Sequence, residues 1–442
     1  MKTDVLIIGA GASGLMAARE LGKEGKKVML IDARPYTGGR IHTFHKPGFG
    51  APVEAGAEFI HGKQHYTLQL LKEFGIKYRN VNGEIWQVKN GIFKKEKEFI
   101  EDHHNEFIRA LKKQEEDLSV EEFLDTNFGN EKYSALRNSI RKYNEGYAAA
   151  ELSRASILAL KEDWLEGDDD QYRIEGGYDC LTEALAEECK KTGAVTLLST
   201  VITKIEWERN NVTAISENRK KYSAPVAIVT LPPSLLAESA QRKGNISFMP
   251  EIPAKREAAK NLGFGGVIKF ILQFNNAFWK DKPAEKIAGK DLENLSFIFS
   301  DATIPTWWTQ HPDDVPILTG WLGGPAAANY LTAREQELLN IALTSLASIF
   351  SMPLNVLENN LKTYHITNWQ TDAFSRGAYS YDVVNGKIWK EELITPLEDT
   401  LYFAGEALSM SELAGTVEAA LASGMEVSKK ILKKEKVSLE EG

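Results

Sequence analysis

Cysteine is nearly missing from this chain of 442 residues: only Cys180 and Cys189 occur. Two thiols build neither a disulfide framework nor a metal set, so a reducing compartment is the expected setting. No apolar run approaches the ~20 residues needed to cross a bilayer. A glycine motif begins at Gly9, which leaves no room ahead of it for a secretory leader. The expectation is a cytoplasmic protein with no membrane segment. An excess of positive charge is also missing. Lys and Arg number 53 against 62 Asp and Glu, a net charge of −9, which argues against nucleic acid as the main ligand. No internal repeat, low-complexity tract or linker stands out. The pair His103-His104 has no companion ligands near it, so no metal is expected.

What is present begins with "VLIIGAGASGLMAARELGKEGKKVMLIDARPYTGGR". Val5-Leu6-Ile7-Ile8 reads as a buried parallel strand. Gly9, Gly11 and Gly14 follow in the G-x-G-x-x-G pattern. Gly9 allows the tight turn, Gly11 lets backbone approach a pyrophosphate, and Gly14 lets the helix lie close to the strand. Ala12 and Ser13 open that helix, whose free N–H groups and positive dipole end suit phosphates. Lys27 to Ile31 forms a second strand ending at Asp32, placed to accept a bond from a ribose hydroxyl. Ala33 and Arg34 follow it. The pattern predicts a dinucleotide site. Gly38-Gly39-Arg40 then brings flexible backbone and a guanidinium toward the phosphates. "EAGAEFIHG", Glu54 to Gly62, adds small residues at Ala55, Gly56 and Ala57 against which a flat ring can lie.

Together these two segments resemble the FAD-containing amine oxidases: monoamine oxidases, polyamine oxidases and the lysine-specific histone demethylase. Four later stretches extend the resemblance. "IEGGYDCLTEALAEE" has the Gly-Gly-aromatic turn before a helix. "LLSTVITKIEWERNNVTAISENRKKYSAPVAIVTLPPSLL" reads as successive strands with turns at Asn210-Asn211 and near Asn218. "LGFGGVIKFILQFNNAFW" carries Lys269 within an apolar strand, with Val267, Lys269 and Ile271 on one face and Ile268, Phe270 and Leu272 on the other. A lysine there needs a partner. "NWQTDAFSRGAYSY" and "LYFAGEALSMSELAGTVEAALASGMEVSKKIL" complete the set, the second with a close-packing helix from about Gly415. The charged tail beyond Lys429 is expected to fray.

The resemblance implies a fold and a site. The fold class is α/β, a Rossmann-type FAD-binding domain interleaved with an α+β substrate-binding domain. The first gathers residues 1–75, 176–240 and 390–435, the second residues 76–175 and 241–389. FAD contacts are implied at Gly9, Gly11, Ala12, Ser13 and Gly14, and at Asp32, Ala33, Arg34, Gly39 and Arg40. Gly56, Ala57 and Glu58 join them, with Val201 at the adenine through its backbone. Trp369, Gly405, Glu406, Thr416 and Val417 complete the cofactor set, Glu406 toward the ribityl-phosphate region. Lys269 matches the lysine that reaches the flavin N5 through a water. Tyr379 matches one aromatic wall around the substrate nitrogen. Thr416 stands where monoamine oxidases carry the second, which leaves that cage half built unless Trp369, Trp321 or Tyr381 contributes. His61 matches a substrate-tunnel histidine of animal-type polyamine oxidases.

Ala378 replaces the cysteine that bonds to flavin in monoamine oxidases, so non-covalent FAD is expected. The implied reaction oxidises a primary or secondary mono-, di- or polyamine to an imine and reduces O2 to H2O2. Alternatives on the same fold are an amino acid oxidase, with Arg376 as its carboxylate partner, and a desaturase or protoporphyrinogen-oxidase-like enzyme. A non-enzymatic FAD scaffold is a further one. Glu58 either pairs with a distal ammonium or caps its turn. The run Glu166 to Asp170 reads as a solvated loop, with a cation-attracting rim as the sharper reading. Expected partners are a small-molecule amine and O2, with no nucleic acid or membrane, and a homodimer left open.

Overall fold

Val5–Ile8 is apolar and buried along its whole length, and it lies at the centre of a five-stranded sheet. The structure, a computed structural model, describes residues 3–96, 103–166, 170–238, 242–410 and 414–440. The sheet runs Val195–Leu197, Val28–Ile31, Val5–Ile8, Val226–Val229, Leu401–Phe403, and every neighbouring pair is parallel. Parallel strands covered on both faces require continuous apolar runs, and these segments supply them. Helix Ala12–Lys23 follows the central strand, and the C-terminal helix Val417–Glu440 lies across its start. Contact between them is close: a Cβ on Gly424 would stand 2.3 Å from the Ser13 carbonyl oxygen. The architecture is α/β with a Rossmann-type sheet, as expected. The tail departs from expectation. The final helix continues through it to Glu440, because its lysines, glutamates and leucine are good helix formers.

Ile202–Glu208, Asn211–Ser216 and Lys221–Ala224 form an antiparallel meander, with Ser247–Met249 added in parallel at one side. Its turns carry Asn210 at φ 60 and Arg219 at φ 62, close to the positions where polar clusters predict them. Residues 246–262 contribute Ile246, Phe248, Ile252, Ala258 and Ala259 to the same core as Leu6 and Ile8. A division at 240/241 therefore separates residues that pack together.

The third sheet has seven strands in the order Leu361–Asn368, Val267–Phe274, Ile317–Gly323, Thr306–Thr309, Leu295–Ser300, Glu84–Lys89, Ile92–Glu96. All eight residues of Val267–Phe274 are buried. Ile268, Phe270, Leu272 and Phe274 join the core beneath helix Glu335–Ile349. Val267 and Ile271 belong to smaller clusters on the opposite face. The alternation read from sequence thus holds, and it aims Lys269 away from the main core. A helical segment between Asn105 and Trp164 ends one helix, Ser134–Lys142, in a π-helical turn, Tyr143–Tyr147.

Candidate active site

The dinucleotide motif adopts the conformation its glycines predict. Gly9 has φ 112, and a Cβ there would lie 2.3 Å from the Thr230 Oγ. A Cβ on Gly14 would lie 2.0 Å from the Gly9 carbonyl oxygen, so only glycine lets the helix start this close to the strand. Gly11 differs: its nearest neighbour would be 3.8 Å away, at the Gly38 carbonyl. Its smallness leaves backbone accessible. The helix beginning at Ala12 has no side-chain cap and no acid in its first turn. Ser13 Oγ is buried there without a hydrogen-bond partner. An unpaired hydroxyl at a free helix N-terminus fits the phosphate oxygens of a dinucleotide.

Asp32 accepts the backbone N–H groups of Ala10 and Arg34, each at 2.7 Å. Burial raises its pKa against those two bonds. Beyond it, the Thr200 N–H donates to the Asp32 carbonyl. Val201, Ser199, Thr200, Ser216, Glu217 and Asn218 line a cleft of about 320 Å³. The Val201 carbonyl already accepts the Glu217 N–H at 2.8 Å.

Three of the expected cofactor residues have protein contacts of their own. The Arg34 guanidinium is held by Asp372, at 2.6 and 3.0 Å, and by Ser375 Oγ at 2.9 Å. It ties two distant segments together rather than presenting a free cation. Glu406 is also fully engaged. One oxygen accepts from Arg40 at 2.7 Å and the Ser380 N–H at 3.1 Å, the other from Ser380 Oγ and the Gly415 N–H. Its carboxylate joins four segments, while the neighbouring Gly405 has nothing within 4 Å of a Cβ. At Gly56 a Cβ would stand 1.8 Å from the Arg40 carbonyl oxygen, so chain crossing demands glycine there, independent of any ring. Ala57 and Ala33 are half-buried, Ala57 donating to that same carbonyl at 3.2 Å. Gly39, at φ 64, sits 3.5 Å from the Gly11 Cα, measured from the Cβ it lacks.

Lys269 is 1% exposed, and its ammonium donates to Glu58 Oε2 at 2.6 Å and to the Gly56 carbonyl at 3.2 Å. The partner that the sequence demanded is therefore Glu58. The other Glu58 oxygen accepts from Arg173 Nε and Nη2, at 3.0 and 2.7 Å, and from Trp308 Nε1 at 2.9 Å. Burial opposes ionisation of Glu58, but Lys269 and Arg173 outweigh it and hold its pKa below the usual value. A carboxylate so occupied does not receive a distal ammonium, which corrects that expectation. Glu54 lies behind, accepting from Tyr178 N–H and Thr43 Oγ, and burial pushes it up to about 7.

Lys269 faces Trp321 across the strand pair. Trp321 stacks on Tyr379, centroids 6.1 Å apart and planes 22° apart. Of the three rings that could stand beside Tyr379, Trp321 is the one that stacks on it. Thr416 Oγ accepts the Ala419 N–H at 3.1 Å and caps the final helix, where Val417 is the first residue. Tyr381 belongs to the helical core. Trp369 is 5% exposed and donates to the Ala55 carbonyl at 2.9 Å. Rings then continue from Trp321 through Trp308 and Phe59 to His61 and Tyr147. The π-helical turn closes the circuit: Gly146 and Tyr147 carbonyls accept from Trp321 Nε1 and the Tyr379 hydroxyl. Among these rings burial lowers the His61 pKa to about 4, so its imidazole is neutral at pH 7.

Arg173, Trp308 and Tyr147 escaped the sequence reading. A signal existed for one: Arg173 interrupts the short strand Gln171–Ile174, as Lys269 interrupts its own. Arg376, the carboxylate partner named for an amino acid oxidase, bonds Glu238 and the Lys243 carbonyl. Of the run Glu166 to Asp170, residues 167–169 lie outside the described residues; Asp170 accepts from Asn80 and Asn82. No group of three or more His, Cys, Asp or Glu that could hold a metal occurs among the described residues. No single helix there is long and apolar enough to cross a membrane.

Comparison with known proteins agrees with this geometry. A family profile described as flavin containing amine oxidoreductase matches residues 12–432. Polyamine oxidase 2 of Arabidopsis thaliana is 25% identical, over 96% of this chain and 88% of its own. Human lysine-specific histone demethylase 2 is 26% identical, over 97% of this chain and 53% of its own. Among solved structures, putrescine oxidase bound to putrescine superposes with a TM-score of 0.77 at 20% identity, covering 98% and 99% of the two chains. Cyclohexylamine oxidase from Brevibacterium oxydans gives 0.78 at 19%, covering 99% and 100%; both likenesses are of fold. With a matched profile across nearly its whole length, a phosphate-ready glycine turn and a buried lysine beside an aromatic pair, this chain belongs to the flavin-containing amine oxidoreductases and is a flavin-dependent oxidoreductase.

Proposed function

We propose that this enzyme oxidises a primary or secondary amine at the carbon beside nitrogen, with O2 as final acceptor and H2O2 as product. The observation that carries this reading is the placement of Lys269 against the Gly56 carbonyl, with the Trp321–Tyr379 pair across the same strand face. Bound FAD supplies the two-electron acceptor. Gly9, Gly11, Ser13 and Gly14 would hold its pyrophosphate, Asp32 its ribose, and Gly56, Ala57 and Lys269 its ring. Ala378 offers no thiol for a covalent bond, so the reading is of a dissociable cofactor.

The chain's own contribution is orientation and desolvation. Two facing rings align the substrate nitrogen. Their apolar setting, together with two buried cations against one carboxylate at Glu58, disfavours an ammonium and selects the neutral amine. The nitrogen lone pair then assists loss of the adjacent C–H with two electrons, leaving an imine that water hydrolyses. The neutral His61 imidazole and the Tyr147 hydroxyl, 3.3 Å apart, stand at the outer end of the ring circuit.

Peroxide release tested across amines, amino acids and tetrapyrroles discriminates among the readings. Turnover with amines alone is the expected result; a yellow, FAD-loaded protein that yields peroxide with none of them sinks the proposal. Acid precipitation is expected to leave the flavin in the supernatant. Colour retained in the pellet contradicts the Ala378 argument.

A further inference from the structure

Glu58 stands between two buried cations, and the four hydrogen bonds it accepts from side chains divide cleanly. Arg173 and Trp308 take one oxygen, and Lys269 takes the other. Arg173 is in turn anchored by the His311 and Thr309 carbonyls, both at 3.1 Å. Glu58 and Lys269 side chains are 4% and 1% exposed. A carboxylate fixed from behind in this way has no freedom to rotate, and a lysine bonded to it inherits that rigidity. The Lys269 chain is otherwise flexible, and an ammonium in a dry cavity without a counter-charge is costly.

We propose that Glu58, braced by Arg173 and Trp308, is a positioning residue that acts as counter-ion to Lys269 and fixes its ammonium at the redox face of the cofactor site. This rests on the flavin reading of that site, but on no particular substrate. Two of the three ammonium protons have protein acceptors, at Glu58 and Gly56. The Gly56 carbonyl belongs to the segment expected to carry the ring, so the clamp sets where the remaining proton is presented. Charged groups around Lys269 are Glu58 in direct contact, Arg173 on the other oxygen of Glu58, and Glu54 at longer range.

The test uses FAD-loaded protein and reads thermal midpoint against pH from 6 to 10, for wild type, Glu58→Gln, Glu58→Asp, Lys269→Met and the double variant Glu58→Gln/Lys269→Met. In Glu58→Gln the ammonium faces Arg173 without a counter-ion and loses its proton at lower pH in the folded state than in the unfolded chain. Between those two pKa values the unfolded chain holds more protons, so stability rises with pH. The expected result is a midpoint difference, variant minus wild type, that recovers toward zero as pH rises. That slope disappears when the double variant is compared with Lys269→Met, and it is absent in Glu58→Asp, which keeps the charge. Flavin reduction by an amine serves as a second readout. The ratio of Glu58→Gln to wild-type rate is expected to fall about tenfold per pH unit above the lowered lysine pKa. Parallel midpoint curves for Glu58→Gln and wild type, or a slope that survives without Lys269, overturn the proposal. If Glu58→Gln does not accumulate as folded protein, recovery in the double variant supports it. Failure of both shows that Glu58 serves only Arg173 and overturns it.

Discussion

Lys269→Met is expected to keep the flavin bound and to slow flavin reduction or reoxidation by about 10²–10³-fold, the loss typical of removing one preorganised donor from a water-poor site. The fold should survive. Glu58 keeps Arg173 and Trp308 on its other oxygen, so no carboxylate is orphaned. The cost stays below the ~3–5 kcal/mol that follows when a buried charge loses its only partner. Methionine takes the same buried position on the central strand Val267–Phe274, which Ile317–Gly323 and Leu361–Asn368 flank, with an unbranched apolar chain. Anaerobic mixing with an amine, followed by mixing with oxygen, measures the two half-reactions separately. If both rates match wild type while FAD content is full, Lys269 has no part in the mechanism and the central reading of this site falls with it.

Glu406→Ala is expected to have the largest structural effect. Glu406 is 6% exposed and receives Arg40, both donors of Ser380 and the Gly415 N–H. Those donors come from the second glycine segment, the strand Tyr379–Tyr381 and the turn before the final helix. Alanine leaves a guanidinium, a hydroxyl and two backbone N–H groups without this acceptor. Arg40 keeps the Ala378 carbonyl at 2.8 Å, but the charge is uncompensated. A loss of about 3–5 kcal/mol follows, and the turn carrying Gly415 loosens from the strand Tyr379–Tyr381. The measurable outcomes are a low flavin-to-protein ratio after purification and a lower denaturation midpoint. Full flavin content with an unchanged midpoint would show that Glu406 is not the junction described here.

The sequence relatives and fold neighbours of this chain act on different amines: a polyamine oxidase and a histone demethylase among the first, a putrescine oxidase and a cyclohexylamine oxidase among the second. A flavin cradle and a buried lysine do not by themselves choose among amines. Under the proposed function, the ring circuit from Tyr379 to Tyr147 and the neutral His61 would set the preference among amines. Trp321→Ala opens that circuit at the residue that stacks on Tyr379 and faces Lys269. It is expected to raise KM for bulky amines more than for small ones; equal effects across a size series would remove Trp321 from substrate recognition.

Much of this protein was legible in its residues. Local rules suffice for the glycine turn, because Gly9 takes φ 112 and a Cβ at Gly14 would collide with the Gly9 carbonyl five residues back. Period-two alternation placed Lys269 on the face away from the main core, and a lysine there announced that a partner existed. Sequence could not say which partner. Glu58, Arg173 and Trp308 lie 211, 96 and 39 positions away from Lys269 along the chain, and only the packing of two sheets and the loop carrying Glu58 brings the four side chains together. The same holds for Thr416, whose hydroxyl is claimed by a helix start, and for Arg34 and Glu406, whose charges are claimed by distant segments. Spacing along a chain reports backbone conformation, which is local; it does not report which buried charges must neutralise one another, since that follows from long-range packing and the exclusion of water.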